Sequence, residues 1–371
     1  MKRFVLIDGS NMLFRAYYAI PAHLSTSSGQ PTNAVFGFVT MLNKLLNRKK
    51  PDYAAVMFDP AGGSFRQRES VDYKANRERM PGDLASQLPL IDQVVKAYRI
   101  PVLRVVDFEA DDVIATLTKQ VEKRGEQVLI VSSDKDFSQL LNENVSMLDG
   151  MRDITYTPEL VKKKFGVSPD KFVDFQALCG DKIDNIPGVP GIGKKTASKL
   201  LDQYQDLDGI LSSIEEIGGS VAKKLAKHRD DALLSRKLAK LDTEVEHGLD
   251  LQTFTFVPPD ADALNELFRE LEFFSLLKST GESQVAESTK ESLTILPGEA
   301  PLPETFLKKK LAVVPVGDVV GHRFDTVGLT LRSIEDGETV YLHDEWETSA
   351  RKFFENFEGE VVAHDVREFY R

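Results

Sequence analysis

The residues best able to do chemistry concentrate between Asp107 and Leu141. Asp107-Phe108-Glu109-Ala110-Asp111-Asp112 leads into an amphipathic run, then the apolar run Val128-Leu129-Ile130-Val131, then Ser132-Ser133-Asp134-Lys135-Asp136. Glu109, Asp111, Asp112, Asp134 and Asp136 offer oxygen ligands of the kind that hold hard divalent ions such as Mg²⁺ or Mn²⁺. Gathered in one place, such carboxylates repel by about 4 kcal/mol per pair at about 4 Å and an effective dielectric of about 20. Something cationic must then compensate.

Stepping from these residues to the elements that hold them, Ala110, Val113, Ile114, Leu117 and Val121 form one apolar helix face, and Gly125 supplies a stop. Glu109 and Asp112 are three apart and share a side at the helix N-terminus, which favours negative charge by about 0.3–1 kcal/mol per group. The run Val128 to Val131 is apolar on both faces, the pattern of a parallel strand covered by helices. Asp134 and Asp136 leave its carboxyl end, where ligands sit in open α/β sheets.

Two further strands repeat the arrangement. Phe4-Val5-Leu6-Ile7 ends on Asp8, and Tyr53-Ala54-Ala55-Val56-Met57-Phe58 ends on Asp59 before Pro60. A single strand-end aspartate is commonly a turn or cap residue; three delivered to one edge point to a shared site. A phosphatase of the aspartyl-phosphate kind would need a second Asp two residues after Asp8, where Ser10 stands.

Between Asp59 and Leu84 lies a basic, aromatic-punctuated stretch, Gly62-Gly63-Ser64-Phe65-Arg66-Gln67-Arg68 followed by Tyr73-Lys74-Ala75-Asn76-Arg77. It reads either as a solvated loop or as a mobile segment whose Arg66 and Lys74 hold a phosphate at the acidic site. Further on, Asp181 and Asp184 form another acidic pair, directly before Gly188-Val189-Pro190-Gly191-Ile192-Gly193-Lys194-Lys195-Thr196-Ala197. Gly188, Gly193 and Lys194 nearly match the phosphate loop of nucleotide hydrolases, but Lys195 stands where Ser or Thr belongs and no apolar strand precedes. What remains is a Gly-rich turn opening a helix from Lys194 to Leu201, whose N–H groups and Lys194, Lys195 and Lys199 can bind a nucleic-acid phosphate without reading sequence.

The 371 residues leave room for two or three domains, and 42% hydrophobic with 28% charged residues is ordinary for a soluble globular chain. The net charge of −11 opposes phosphate binding, but Lys223, Lys224, Lys227, Arg229, Arg236, Lys237 and Lys240 cluster against only Asp230 and Asp231. Neither a membrane span nor a signal peptide is expected, and the single Cys179 precludes an intrachain disulfide. A reducing, cytoplasmic setting is expected.

Taken in order, Ile7-Asp8-Gly9-Ser10, Phe58-Asp59, Glu109-Ala110-Asp111-Asp112, Ser133-Asp134-Lys135-Asp136-Phe137, Gly180-Asp181-Lys182-Ile183-Asp184-Asn185-Ile186-Pro187-Gly188 and Gly191-Ile192-Gly193-Lys194-Lys195-Thr196-Ala197 closely resemble the 5′ nuclease domains of bacterial DNA polymerase I, in the flap endonuclease family. The resemblance covers residues 1–278. It implies an α/β fold of PIN-like type, with a twisted, mostly parallel sheet, a helical arch and a helix-hairpin-helix (helix-two-turn-helix) module that grips duplex DNA. The expected division is a catalytic domain over 1–175 and a DNA-binding region over 176–278.

The resemblance places metal carboxylates at Asp8, Asp59, Glu109, Asp111, Asp112, Asp134, Asp136, Asp181 and Asp184, and catalytic bases at Arg66 and Lys74. Arg66 and Lys74, basic residues of the arch, would steady the scissile phosphate. The resemblance places substrate contacts at Phe14, which would stack on DNA, at Arg77, and at Gly188, Gly191, Gly193, Lys194, Lys195, Thr196 and Lys199. Two Mg²⁺ ions, with Mn²⁺ able to substitute, would hydrolyse phosphodiester bonds, and a K⁺ ion would bind backbone oxygens of the hairpin. The implied partners are DNA with a 5′ flap, nick or 5′ end and RNA–DNA primer junctions, met by a monomer at the nucleoid during replication and repair. Two alternatives differ in class. A non-catalytic DNA-structure binder would gain nothing from so much negative charge, and a PIN-type ribonuclease leaves the Gly191 to Ala197 module unexplained.

Residues 279–304 have a polar, proline-bearing linker composition. Leu311-Ala312-Val313-Val314-Pro315-Val316 then resembles the opening of a 3′–5′ exonuclease-like domain, expected to be incomplete and degenerate over 305–371. Val314-Pro315-Val316-Gly317 stands where an active version needs Asp-x-Glu, and the acid-rich stretch from Glu335 to Glu360 reads as a solvated face. If the chain is a fragment, a polymerase domain would follow.

Overall fold

Three continuous apolar runs make a sheet buried on both faces. In β1 (Arg3–Asp8), Phe4 and Leu6 point into one apolar cluster and Val5 and Ile7 into the opposite one. β2 (Tyr53–Met57) and β4 (Gln127–Val131) divide their residues the same way: Ala55 and Ile130 lie on one side, Val56 and Leu129 on the other. This is the period-two consequence of a strand covered by helices above and below. With β3 (Val102–Leu103), β5 (Val145–Asp149) and β6 (Ile154–Tyr156), the sheet runs in the order β3-β2-β1-β4-β5-β6. All neighbours are parallel except β5 and β6.

The computed structural model describes residues 2–77 and 79–277, together with residues 293–297, 311–320, 323–333, 339–343, 351, 353–355, 358 and 361–363. The chain divides into two compact units, Met1–Gly281 and Glu282–Arg371. In the first, the helices Gly9–Ala19, Asn33–Lys49, Leu88–Ala97 and Ala261–Glu270 cover the face bearing Val5 and Ile7. The opposite face is covered by the helix Ala110–Glu122 and by the helices after Pro158, through Phe172, Leu178, Leu201, Ile210 and Leu225. The regions expected as 1–175 and 176–278 thus share one core and form one unit. Where an arch is expected, the described residues hold two short helices, Phe65–Glu69 and Gly82–Ala85.

In the second unit, β7 (Leu293–Pro297), β8 (Leu311–Val320), β9 (Arg323–Ser333), β10 (Thr339–His343) and β11 (Val361–Ala363) form a mixed sheet in the order β11-β8-β9-β10-β7. β7 lies inside the stretch read as linker and pairs in parallel with β10, which corrects that reading. Its place in a sheet comes from a partner more than forty residues later, which local composition cannot show. Most of the acid-rich stretch from Glu335 to Glu360 lies outside the described residues.

The turn after the helix Phe172–Cys179 is closed by reciprocal backbone bonds between Asp181 and Ile186 at 2.9 and 2.7 Å. Gly180 (φ 68°) and Gly188 (φ 63°) occupy left-handed backbone, and a Cβ at Gly188 would lie 2.2 Å from the Gly180 nitrogen. The Gly188 N–H donates to the buried Ser235 Oγ at 2.8 Å. Gly188→Ala combines strained backbone with an unrelieved clash and is expected to cost about 2–4 kcal/mol of stability, read as a lower urea midpoint with unchanged slope; an unchanged midpoint would show that this close approach is dispensable.

Candidate active site

The carboxyl ends of β1, β2 and β4 lie side by side, so Asp8, Asp59 and Asp134 converge on one edge of the sheet, where strand order turns from β1 toward β2 on one side and β4 on the other. Asp8 caps the helix Gly9–Ala19, accepting from Asn11 N at 2.9 Å and from Ser132 Oγ at 2.8 Å. Asp59 Oδ1 accepts from Ala110 N at 2.9 Å, which seats it on the N-terminus of the helix Ala110–Glu122. Glu109 and Asp112 complete that end as a reciprocal capping box. The expected crossover therefore delivers both acidic clusters to the edge that Asp8 and Asp59 share.

Two groups of three carboxylates result. Ligand oxygens of Glu109, Asp111 and Asp112 lie within 4.8 Å of one another, and so do those of Asp136, Asp181 and Asp184. Burial, compounded by the charges of Asp112 and Glu109, raises the Asp111 carboxyl well above its ordinary range. Burial together with Asp134 and Asp184 does the same to Asp136, and burial and Asp184 raise Asp134. Burial, reinforced by Asp59 and Asp134 against hydrogen bonds from Asn11 and Ser132, pushes Asp8 up to about 7. Buried Asp111 Oδ1 has no hydrogen-bond partner. A buried, unpartnered carboxylate oxygen beside two others is what a hard cation satisfies, so the donor set fits divalent metal.

Not every carboxylate remains available. Asp112, fully buried, receives Arg66 Nη1 and Nη2 at 2.6 Å each, the Asp242 N–H at 2.8 Å and the Glu109 N–H at 3.2 Å. Arg66 itself is 1% exposed and places all five of its N–H donors: Nε on Leu238 O, Nη1 on Asp112 and Glu109, and Nη2 on Asp112 and Lys240 O. Its expected role on a substrate phosphate is corrected accordingly. Arg66 and Asp112 instead fasten the sheet edge to the helix Arg229–Ala239. Lys74 Nζ and Tyr73 OH both donate to Glu109 Oε2, at 2.9 and 3.0 Å. Burial alone would raise Glu109, but Lys74 and Arg66 outweigh it and hold the carboxyl below its usual range.

Basic side chains also meet the second group, where Lys135 Nζ pairs with Asp181 and Arg77 Nη2 with Asp184 Oδ1 at 2.6 Å. Three backbone-directed bonds stitch the Lys74 loop to this turn: Lys74 N to Asp184 O at 3.0 Å, Asn76 Nδ2 to Lys182 O at 3.0 Å and Asn185 Nδ2 to Asp72 O at 2.7 Å. Lys74, Asp107 and Asn185 hold positive φ here, and such strain gathers at sites the surroundings over-determine.

Phe14 lies half-buried against the apolar cluster of its own sheet face, whereas Tyr18, one turn on, is 72% exposed. Lys194, Lys195 and Lys199 stand exposed on the helix Lys194–Tyr204, with Gly193 as its N-cap and the Thr196 N–H on Gly193 O. A side chain at Gly191 would strike Lys224, whose Nζ donates to Gly191 O at 3.0 Å. Sequence reasoning passed over Tyr73, Ser132, Asn11 and Gln176, whose amide donates to Asp136 Oδ1 at 2.7 Å. Only Lys135, a base between two aspartates, carried a local signal.

This sheet, its acidic edge and the helical region beyond it define a PIN-like nuclease fold. Residues 3–166 match the family described as 5'-3' exonuclease, N-terminal resolvase-like domain, and residues 167–262 the family described as 5'-3' exonuclease, C-terminal SAM fold. A 5'-3' exonuclease of Aquifex aeolicus is 41% identical over 278 residues, covering 75% of this chain and 95% of that protein. The chain belongs to the 5'-3' exonuclease family. The DNA polymerase I of Bacillus caldotenax is 39% identical over 336 residues, 89% of this chain, but the match spans 38% of that polymerase. The match thus spans from 28% to 39% of the length of such polymerase relatives. Among solved structures, a zinc-bound T5 5'-exonuclease superposes with a TM-score of 0.55 at 21% identity, over 73% of this chain and 99% of its own. The catalytic core of Rad2 in complex with DNA substrate gives 0.52 at 16% identity, over 73% and 88%. Among the described residues no helix is long and apolar enough to cross a membrane.

Arg66→Met leaves Asp112 buried and unpaired and is expected to remove about 3–5 kcal/mol of stability, measured by urea unfolding; a loss below 1 kcal/mol would contradict the anchoring role. Asp8 titrates near 3.8 when unfolded and about 7 when folded, so between those values the folded chain binds more protons. Its contribution to stability is therefore greatest below about 4 and falls as pH rises through about 7. Glu109, held low, acts only below its ordinary range, outside this window. Asp111, Asp134 and Asp136, also raised by burial, add a trend of the same sign. In EDTA the melting temperature should drop between about pH 5 and pH 8, and Asp8→Asn should make that slope shallower without abolishing it; equal slopes in both proteins would dismiss Asp8 as a source.

Proposed function

We propose that this chain is a structure-specific 5′–3′ exonuclease and flap endonuclease, hydrolysing phosphodiester bonds near the 5′ ends of DNA and RNA primers in replication and repair. The unpartnered, buried Asp111 Oδ1 within its carboxylate group carries this reading, because such an arrangement serves a cation and does not serve a passive DNA-binding surface. Family membership and the exposed lysines at the Gly191–Lys199 turn support it.

Two Mg²⁺ ions, replaceable by Mn²⁺, are the proposed cofactors. Asp8, Asp59, Glu109, Asp111 and Asp134 would hold one, and Asp136, Asp181 and Asp184 the other, some through water. Bound there, divalent ions supply an activated water and Lewis-acid stabilisation of the in-line transition state. The chain's own side chains do the rest. Lys74, half-buried and already on Glu109, orients that carboxylate and would turn to a phosphate brought to the edge. Arg77, half-exposed, can exchange Asp184 for a phosphate oxygen. Lys194, Lys195 and Lys199, with the free N–H groups of their helix, hold duplex backbone without reading bases. A K⁺ ion at this turn would compete with Lys224 for Gly191 O.

The proposed substrates are duplexes with a 5′ flap, nick or 5′ end and RNA–DNA primer junctions, acted on by a cytoplasmic, nucleoid-associated monomer. Its identity with polymerase relatives supports a polymerase domain as covalent partner if the chain is part of a longer protein. Residues 305–371 are proposed to be a degenerate 3′–5′ exonuclease-like domain. A 5′-labelled flap duplex should be cut near its junction in Mg²⁺ and left intact in EDTA. Asp134→Ala should lower cleavage by at least about a thousandfold while duplex affinity stays within about threefold; binding without cleavage by the unaltered protein would sink the nuclease reading.

A further inference from the structure

The second carboxylate group carries a cation of its own. Lys135 opens the short helix Lys135–Leu140, whose N-cap is Asp134, so it stands between Asp134 and Asp136 in sequence and reaches Asp181 in space. The Asp136 N–H donates to Asp134 Oδ1 at 3.0 Å and Asp136 Oδ1 accepts from Gln176 at 2.7 Å, which fixes the backbone beneath it. Asp181 is equally fixed, its Oδ1 accepting from Ile183 N at 2.9 Å, so its remaining oxygen, Oδ2, is the one Lys135 occupies. Arg77 neutralises Asp184 from another segment, with a side chain 48% exposed, while that of Lys135 is 34% exposed. Lys135 alone among these bases is built into the same strand end as Asp134 and Asp136.

An ammonium and a divalent ion at Asp181 Oδ2 compete, because each draws on the same oxygen and the two like charges repel in a partly buried site. The backbone of Lys135 is held, but its four-carbon stem is flexible and its head gains hydration on release. We propose that Lys135 is a built-in counter-ion which a divalent cation has to displace from Asp181. The group formed by Asp136, Asp181 and Asp184 therefore binds its ion more weakly than three carboxylates would, and fills readily only when a substrate phosphate adds further negative charge. This inference rests on the metal reading of the site.

Mn²⁺ titration of the full chain without DNA, followed by the loss of the free-ion paramagnetic resonance signal, separates the two ideas. The unaltered protein should show a tighter and a weaker site. Lys135→Met should tighten the weaker one about tenfold and leave the tighter one within about twofold, whereas Lys135→Arg should stay weak. A weaker site unchanged in Lys135→Met, with an unaltered circular-dichroism spectrum, overturns the counter-ion role and leaves the metal site standing. No Mn²⁺ uptake by the unaltered protein removes the metal site and this inference together. A second measurement needs no substitution: labelling of the Lys135 amine by an acylating reagent, read by mass spectrometry, should rise several-fold when Mg²⁺ is added. Constant labelling counts against displacement.

Discussion

Mutual repulsion of carboxylates gathered at one buried sheet edge is the constraint to which the surrounding structure answers. It is met in two ways. Asp112 is neutralised permanently by a guanidinium with no donor to spare, and that pair joins the helix Ala110–Glu122 to the helix Arg229–Ala239. Asp8, Asp111, Asp134 and Asp136 form no ion pair among the described residues, and burial, compounded by neighbouring carboxylates, raises them. Of acids that look equivalent in the chain, one is thus structural support, and the others stand without a counter-ion at the place proposed for a metal. Glu109 lies between the two classes, held low by Lys74 and Arg66 yet adjacent to the unpartnered Asp111 oxygen.

Much of this was legible in the chain itself, because the signals involved are local. Unbroken apolar runs and the aspartates that end them are written within a few residues, and so is the helix face from Ala110 to Val121. The Gly-rich turn after Asp184 was legible for the same reason. Arg66 was misread because its destiny depends on Leu238, which lies 172 positions away. From the sequence it is one base in an exposed-looking loop. Phe14 depends on distant residues in the same way: an aromatic in the first turns of a helix can face solvent or core, and the helices packed on its sheet face leave it half-buried. The strand Leu293–Pro297 lies among polar residues and prolines, and only its pairing with Thr339–His343 makes it a strand.

The stitching between the Lys74 loop and the Asp181–Ile186 turn has a mechanical consequence. Hydrogen bonds from Lys74, Asn76 and Asn185, with the Arg77–Asp184 ion pair, make the loop that carries the bases and the turn that carries two carboxylates move together. Left-handed Lys74 and Asn185 lie on opposite sides of that seam, so slipping it would release strain only by breaking several bonds at once. Gly188, four residues beyond Asp184, is pinned by Ser235, and the helix bearing Lys194, Lys195 and Lys199 follows directly. A rigid path therefore runs from the second carboxylate group to the lysines proposed to hold duplex. A duplex seated on those lysines would meet the acidic edge at a distance set by backbone, and the proposed selection by the position of a 5′ end or junction would follow from that fixed spacing without any group that reads bases.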